Sequence, residues 1–379
     1  MMRWEVKKLG EVCTLQRGFD LPKDLREKGD YPLISSSGEI DTHCEPKVKS
    51  PGIVTGRSGS IGSLFFVEKD FWPLNTTLFV KDFHGNDPRF IFYLLKHFDL
   101  GRFASGTGVP TLNRNHVHDE KINITTSLKE QKRIVEILDK AFEGIAQAEA
   151  NTRRNLINAR ELFDSYLNQV FTNYAHHYNF ISLNNLTELI TKGSSPKWQG
   201  INYVEHPGVL FVTSENVGVN ELIFEKTKYV EEKFNKKDSK SILKKGDVLT
   251  NIVGASIGRT AIFTREETAN INQAVCLIRC LPDKLFNQYI CYLLNSPYFR
   301  KILHENEVNT ARANLSLTFF RNLEIPVPTL EEQKNIVNRI SKTIQKTQKL
   351  ETIYQRKLEA IAELKQSILE KAFTGQLSQ

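Results

Sequence analysis

The feature that most constrains this chain is the fixed spacing between two helix-like segments. The stretch LKEQKRIVEILDKAF (128–142) matches LEEQKNIVNRISKTI (330–344) at an offset of 202 residues. NQVFTN (168–173) matches EKAFTG (370–375) at the same offset. The segment between the matches therefore has one length in both copies. A segment that keeps its length through a duplication is most simply a continuous helix whose register matters.

The apolar pattern agrees. In the first copy apolar or small residues fall at Ile134, Leu138, Ala141, Ile145, Ala148, Ala159, Leu162 and Tyr166. In the second they fall at Ile336, Ile340, Leu350, Tyr354, Ile361, Leu364 and Ile368. Steps of about three and four describe a heptad seam, interrupted in mid-helix by Thr152, Asn155, Thr343, Thr347 and Lys357. Neither segment contains proline, and both carry acids in the first turn, as a helix dipole favours. About 43 residues at ~1.5 Å rise make a rod of about 65 Å. Two such rods, each with one apolar stripe, are expected to bury those stripes against each other.

The remaining sequence repeats more loosely. WEVKKLGEVCTLQRG (4–18) parallels FISLNNLTELITKG (180–193), and FYLL (92–95) parallels CYLL (291–294). Drifting offsets are what loop insertions produce. The expected organisation is a globular region over 1–127, a rod over 128–172, a second globular region over 173–329 and a rod over 330–379. Fixed rods with divergent globular surfaces imply constant geometry carrying two recognition surfaces.

At 379 residues the chain has room for several cores. No window of ~18 apolar residues marks a membrane span, and the N-terminus MMRWEVKKLGEV does not read as a signal peptide. Five cysteines without a CxxC pair fit a reducing cytoplasm rather than a disulfide scaffold or zinc site. The net charge of +7 permits nucleic-acid binding. No tail carries it, so folding must assemble any basic surface.

Three loop sets carry candidate chemistry. IVTGRSGSIGSLFFV (53–67) shares its plan with VLTNIVGASIGRTAIF (248–263). Its glycine spacing fits neither a P-loop nor a dinucleotide fingerprint. The expected reading is a turn between strands that also faces DNA. Arg57, Ser58 and Ser60 would be within reach, backbone N–H groups would be free for phosphate, and Asn251 and Arg259 would hold comparable places in the second copy. GRFASGTGVPTLNRNHV (101–117) and NEVNTARANLSLTFF (306–320) offer Arg102, Thr107, Asn113, Arg114, Arg312 and Asn314. Arginine can bond guanine bidentately and asparagine can do so with adenine. KGSSPKWQG (192–200) offers Ser194, Ser195, Lys197 and Trp198, the last equally readable as a packed cap. The lysine-rich KFNKKDSKSILKKGD (233–247) reads as a solvated face whose phosphate contacts would add affinity without sequence information. Methyltransferase motifs are missing, and Glu130-Gln-Lys132 and Glu332-Gln-Lys334 resemble only half of a nuclease site. Neither metal nor catalysis is expected in this chain.

With the paired helix starts, the AFTGQL ending (372–377) and the GDVL and SIG elements in view, the chain resembles the DNA-specificity subunit of type I restriction–modification systems over essentially its whole length. It departs from the pattern where SPGIV stands for KGDVL and VFTNYA for AFTGQL in the first copy. The resemblance implies an α/β (α+β) fold with two similar target-recognition domains. They would be joined by two long helices forming an antiparallel coiled coil, a pseudo-two-fold internal repeat. Its core would include Ile134, Leu138, Ile145, Leu162, Ile336, Ile340, Leu350, Ile361, Leu364 and Ile368. It further implies a non-catalytic subunit on double-stranded DNA reading a bipartite, asymmetric site. Two methyltransferase subunits and restriction subunits would dock on it, with S-adenosylmethionine, ATP and Mg belonging to those partners. The competing reading is a coiled-coil scaffold that binds protein and not DNA.

Overall fold

Two strands that read as near-continuous apolar runs, Gly52–Gly56 and Thr77–Asp82, lie side by side at the centre of a four-stranded antiparallel sheet. Thr14–Arg17 and Leu64–Val67 are its edges. Burial on both faces explains why the inner pair lacks polar alternation. The computed structural model describes residues 4–106, 110–307 and 313–378. They form two compact units, Met1–Arg153 with Gln355–Gln379, and Arg154–Tyr354.

The first unit adds a three-stranded sheet, Gly38–His43, Tyr31–Ser35 and Trp72–Pro73, whose last pair is parallel. Helix Pro88–Phe98 begins with Asp87 accepting hydrogen bonds from the Arg89 and Phe90 N–H groups. It buries Phe90, Ile91, Leu94, Leu95 and Phe98 in the main core. Trp4–Lys8 pairs with Lys121–Thr125 just before the first long helix.

The second unit repeats this plan. Val275–Cys280 and Val248–Asn251 are the inner strands, with Thr187–Lys192 and Thr260–Ile262 at the edges. A second sheet again contains one parallel pair, Val209–Val212 with Ala269–Ile271. Phe180–Ser182 pairs with Glu324–Pro326 before the second long helix. The order of the main sheet and the place of the parallel pair are thus the same in both units, while the second sheet of the second unit has one further strand, Tyr203–Val204, at its edge.

The long helices run from Leu128–His177 and Leu330–Phe373. Both start at their repeats, but the first continues past residue 172. Gly375 takes the left-handed conformation at φ +80° and stops the second helix. Asn173 stands at the matching position of the first, which continues through it.

Gln131 and Gln333, fully buried at corresponding places, fasten each helix to its unit. The Gln131 amide donates to Asn86 Oδ1 (2.7 Å) and Thr125 O (2.8 Å) and accepts from Asp87 N (2.8 Å). Gln333 donates to Lys284 O (3.0 Å) and Pro328 O (2.9 Å) and accepts from Phe286 N (2.8 Å).

Within each unit the two helices run antiparallel. In the first, Arg133 donates to Leu377 O and Glu149 pairs with Lys365. In the second, Arg160 pairs with Glu351 (3.2 Å) and Tyr178 donates to Glu332 (3.2 Å). Ile134, Leu138, Ile145, Ile336, Ile340 and Ile361 are buried, and Ile368 is half-buried against the first core. Leu162, Leu350 and Leu364 are corrections to the expected core: all three are exposed, Leu162 by 60%. The seam passes one residue later, through Phe163, Glu351 and Lys365. A single step turns a side chain about 100° around the helix. Glu351 and Lys365 can take seam positions because their stems cover apolar surface while their charges pair across the helices. Thr152 and Thr347, expected as interruptions, are buried, each hydroxyl returning to the carbonyl four residues earlier.

Candidate nucleic-acid interface

The glycine loop of the first unit closes the hairpin between Gly52–Gly56 and Leu64–Val67. Gly56 must lack a side chain because a Cβ there would strike the Ser60 carbonyl. At Gly62 the backbone is left-handed (φ +77°), and a Cβ would come within 2.7 Å of Gly101 N. The turn is thus pressed against the 100–103 segment. Its N–H groups are largely committed. Arg57 and Ser58 donate to Thr76 O (2.9 and 3.1 Å), and Ile61 and Gly62 donate within the loop. This corrects the expectation of a free N–H cradle: the loop offers side chains to a ligand.

The second candidate segment is stitched to this loop. Leu112 N donates to Arg57 O (2.8 Å), and Ser58 bridges Thr111. The structure therefore brings together Arg57, Ser58, Ser60 and the 111–114 stretch. Arg57 is half-buried and donates to Asn75 O (3.3 Å); Ser60 is exposed. Asn113 caps the short helix Arg114–His118 by accepting from Asn115 N (3.0 Å), so its carbonyl oxygen is engaged. Arg114 is exposed, with no ion pair among the described residues. Arg102 is exposed but lies over the Phe98 and Phe103 rings at 4.4 and 4.8 Å. Thr107 lies outside the described residues.

The second unit repeats the stitch. Leu315 N donates to Ile252 O (2.9 Å), Gly254 N donates to Ala313 O (2.9 Å), and Val253 bridges Asn314. Leu315 therefore matches Leu112, and Ser316, which caps helix Leu317–Asn322, matches Asn113. Asn314 is half-buried and Arg259 exposed on the joined loops. Asn251 is a correction. It is fully buried on an inner strand, donating to Ser214 O (2.9 Å) and Val217 O (3.3 Å), because its side chain braces a neighbouring loop from within. Arg312 lies outside the described residues.

On the third loop, Ser194 donates to Asp238 and accepts from Gln199, so its hydroxyl is an internal brace; Ser195 is half-buried. Lys197 is exposed, and Trp198 is 85% exposed rather than a packed cap. The lysine-rich segment joins this loop through Lys237, which donates to Gln199 O (2.6 Å). Lys233 and Lys245 are paired with Glu231 and Glu266 (2.9 and 2.6 Å). Asp247 of the GDVL element is held inside by Arg279, bidentate at 2.8 Å, which keeps the guanidinium charged above its already high ordinary pKa.

The carboxylates that resembled half a nuclease site have structural work. Glu332 accepts from Thr329 N and Oγ1 (3.0 and 2.8 Å), which holds its pKa below the usual carboxylate range. Glu130 pairs with Arg133 (2.8 Å). Among the described residues no group of three or more His, Cys, Asp and Glu is placed to hold a metal ion. No helix among them is long and apolar enough to cross a membrane. The residues overlooked from sequence are Gln131 and Gln333. Their signal was available, a glutamine at the same position of both repeats.

Two units of one sheet plan, each with a stitched pair of polar loops on a helix pair, define a duplicated recognition protein. Residues 1–159 and 177–360 match the family profile of the type I restriction modification DNA specificity domain, and the chain belongs to that family. It is 25% identical to the type I restriction enzyme MjaVIII specificity subunit of Methanocaldococcus jannaschii, covering 99% of this chain and 93% of that one. It is 33% identical to the EcoBI specificity subunit of Escherichia coli over 37% of this chain and 29% of that one. In fold it is similar to a chain from a solved type I R-M system (TM-score 0.75, 18% identity, 98% and 97% of the two chains). It is likewise similar to the HsdS subunit of Thermoanaerobacter tengcongensis (TM-score 0.61, 20% identity, 98% and 97%). The chain is a type I specificity subunit, a non-catalytic component with a DNA-specificity role.

Proposed function

We propose that this chain reads a split, asymmetric site on double-stranded DNA, one half through each of two target-recognition domains, 1–127 and 173–329. The observation that carries the reading is the repeated stitch at Leu112 and Leu315. One scaffold presents polar loops at matching places, with different residues on each. Unlike surfaces on like scaffolds imply unlike half-sites. In the first domain Arg57, Ser58, Ser60, Arg102 and Arg114 are the contacts we favour; in the second they are Ser195, Lys197, Trp198, Arg259 and Asn314. The exposed apolar residues Ile157, Leu162, Leu350 and Ile353 on the helices support docking of methyltransferase subunits there, with restriction subunits joining the complex. S-adenosylmethionine, ATP and Mg would be held by those partners, and the assembly would act in the cytoplasm.

The test is the methylation pattern of DNA from cells expressing this chain with its neighbouring methyltransferase. A split motif with one modified adenine in each unlike half is expected. An active, bound methyltransferase that leaves no new motif would refute the reading.

A further inference from the structure

The two units differ where a matched tyrosine meets the long helices. The repeats align Tyr93 with Tyr292, Lys96 with Asn295 and Phe142 with Ile344. In the first unit this place is filled. The Phe142 ring stacks on Tyr93 with centroids 5.5 Å apart, and Lys96 Nζ lies 4.8 Å over the same ring. Asp139 beside it accepts from Arg89 Nε (3.0 Å) and Tyr93 (2.6 Å).

In the second unit the counterparts are shorter or turned inward. Asn295 is 3% exposed and donates to Asn220 (2.8 Å) and Thr260 O (2.7 Å). A cavity of about 580 Å³ remains, lined by Phe163, Tyr292, Ile344 and Thr347 among others. Gln288 and Ser341, which stand for Arg89 and Asp139, line a smaller one of about 420 Å³ that also touches Tyr292. The larger cavity has a wall that the first unit lacks. After Ile34 the first chain doubles back at once, Ser35 pairing with Gly38, whereas the second runs on through 213–228 after Val212. That insertion makes the turn Gly218–Glu221, closed by Gly218 N donating to Glu221 O (2.9 Å) and tied down by Asn220 N donating to Thr260 O (2.9 Å). Val219 and Glu221 of this turn complete the lining.

Close-packed proteins leave few spaces of this size, and here the same place is filled in one copy and walled but open in the other. Its charge is unbalanced. Arg160 is already paired with Glu351 (3.2 Å), while Asp164 and Glu221 make no ion pair among the described residues. Leu162 and Leu350, exposed and next in sequence to Phe163 and Glu351, extend the apolar surface outward.

We propose that the methyltransferase subunit docked on the second unit seats an aromatic side chain in this cavity, against Tyr292 and Ile344, with a basic side chain facing Asp164 and Glu221. The first unit shows the chemistry of the occupant, because its own Phe142 and Lys96 fill the equivalent place. An aromatic anchor in a pocket is the kind of contact that carries most of an interface's binding energy. The inference rests on the methyltransferase docking proposed above and makes the two docking positions unequal. One is closed by the chain itself, and the other is completed by the partner.

The test titrates the full chain with its methyltransferase subunit and follows the bound copies by native mass spectrometry. Two copies are expected. Ile344→Phe, which installs the residue of the first unit, should weaken one copy and leave the other unchanged. Glu221→Lys should do the same by roughly ten-fold or more, through like-charge repulsion. The exposed position of Glu221 keeps the test decisive if Ile344→Phe disturbs its helix. Unchanged binding in Glu221→Lys would overturn the proposal, as would equal weakening of both copies. A wild-type chain that binds no methyltransferase would instead remove the docking reading itself, and this proposal with it.

Discussion

Gln131 and Gln333 show how much one buried amide can organise. Each satisfies two acceptors and one N–H donor where a helix start, a strand end and the cap of the next helix meet. Replacing Gln131 by leucine leaves Asp87 N–H and Thr125 C=O without those partners, and an unsatisfied buried polar group costs about 1–3 kcal/mol. Denaturant unfolding of Gln131→Leu should show a loss of at least that size, and Gln333→Leu a similar one in the second unit. His118 sets a pH dependence. Its Nε2 accepts from Leu15 N (2.9 Å), and burial, aided by Arg114, lowers its pKa from 6.5. The unfolded chain then binds the proton more readily than the folded one. Stability is therefore fully present above the unfolded value and falls as pH drops below it. The melting temperature of the wild type should be flat above pH ~7 and fall below about 6.5. The decline should be shallower in His118→Asn, which keeps an acceptor without titrating.

At the scale of elements, the heptad was legible because a 3.5-residue repeat survives in sequence whatever the partner. Three of its ten assigned positions were not. A leucine beside a charged residue looks like the seam, yet Glu351 and Lys365 occupy it through pairs with Arg160 and Glu149. Which of two adjacent residues faces inward depends on where the partner helix puts its opposite charge. The antiparallel pairing also makes a prediction. Inserting seven residues after Ala150, together with seven after Glu363 in the facing helix, keeps the seam in phase. It adds about 10 Å of helix, or roughly three base pairs of duplex. Methylation sequencing should report the same two half-sites with a spacer longer by that amount; an unchanged spacer would show that the helices do not set it.

At the scale of the whole chain, the duplication is legible in the residues themselves, and the two main four-stranded sheets of identical order account for it. Exchanging residues 1–127 for the equivalent region of another specificity subunit should therefore change one half of the methylated motif and leave the other intact. Alteration of both halves would contradict independent reading.

From the sequence alone came the repeat, the continuous helices, the two globular regions and the family they resemble. Each is a periodicity or spacing that survives without knowing what packs on what. The helix starts were legible for that reason, and so was the glycine loop as a turn. Only the tertiary structure decided which polar residues point outward. Asn251 and Ser194 have the same chemistry as good DNA-reading residues, yet they donate inward to Ser214 O and Asp238. Trp198, equally readable as a packed cap, stands in water. A donor's partner is chosen by whatever backbone group folding brings within about 3 Å of it, and that is a property of the assembled sheets and loops rather than of the residue.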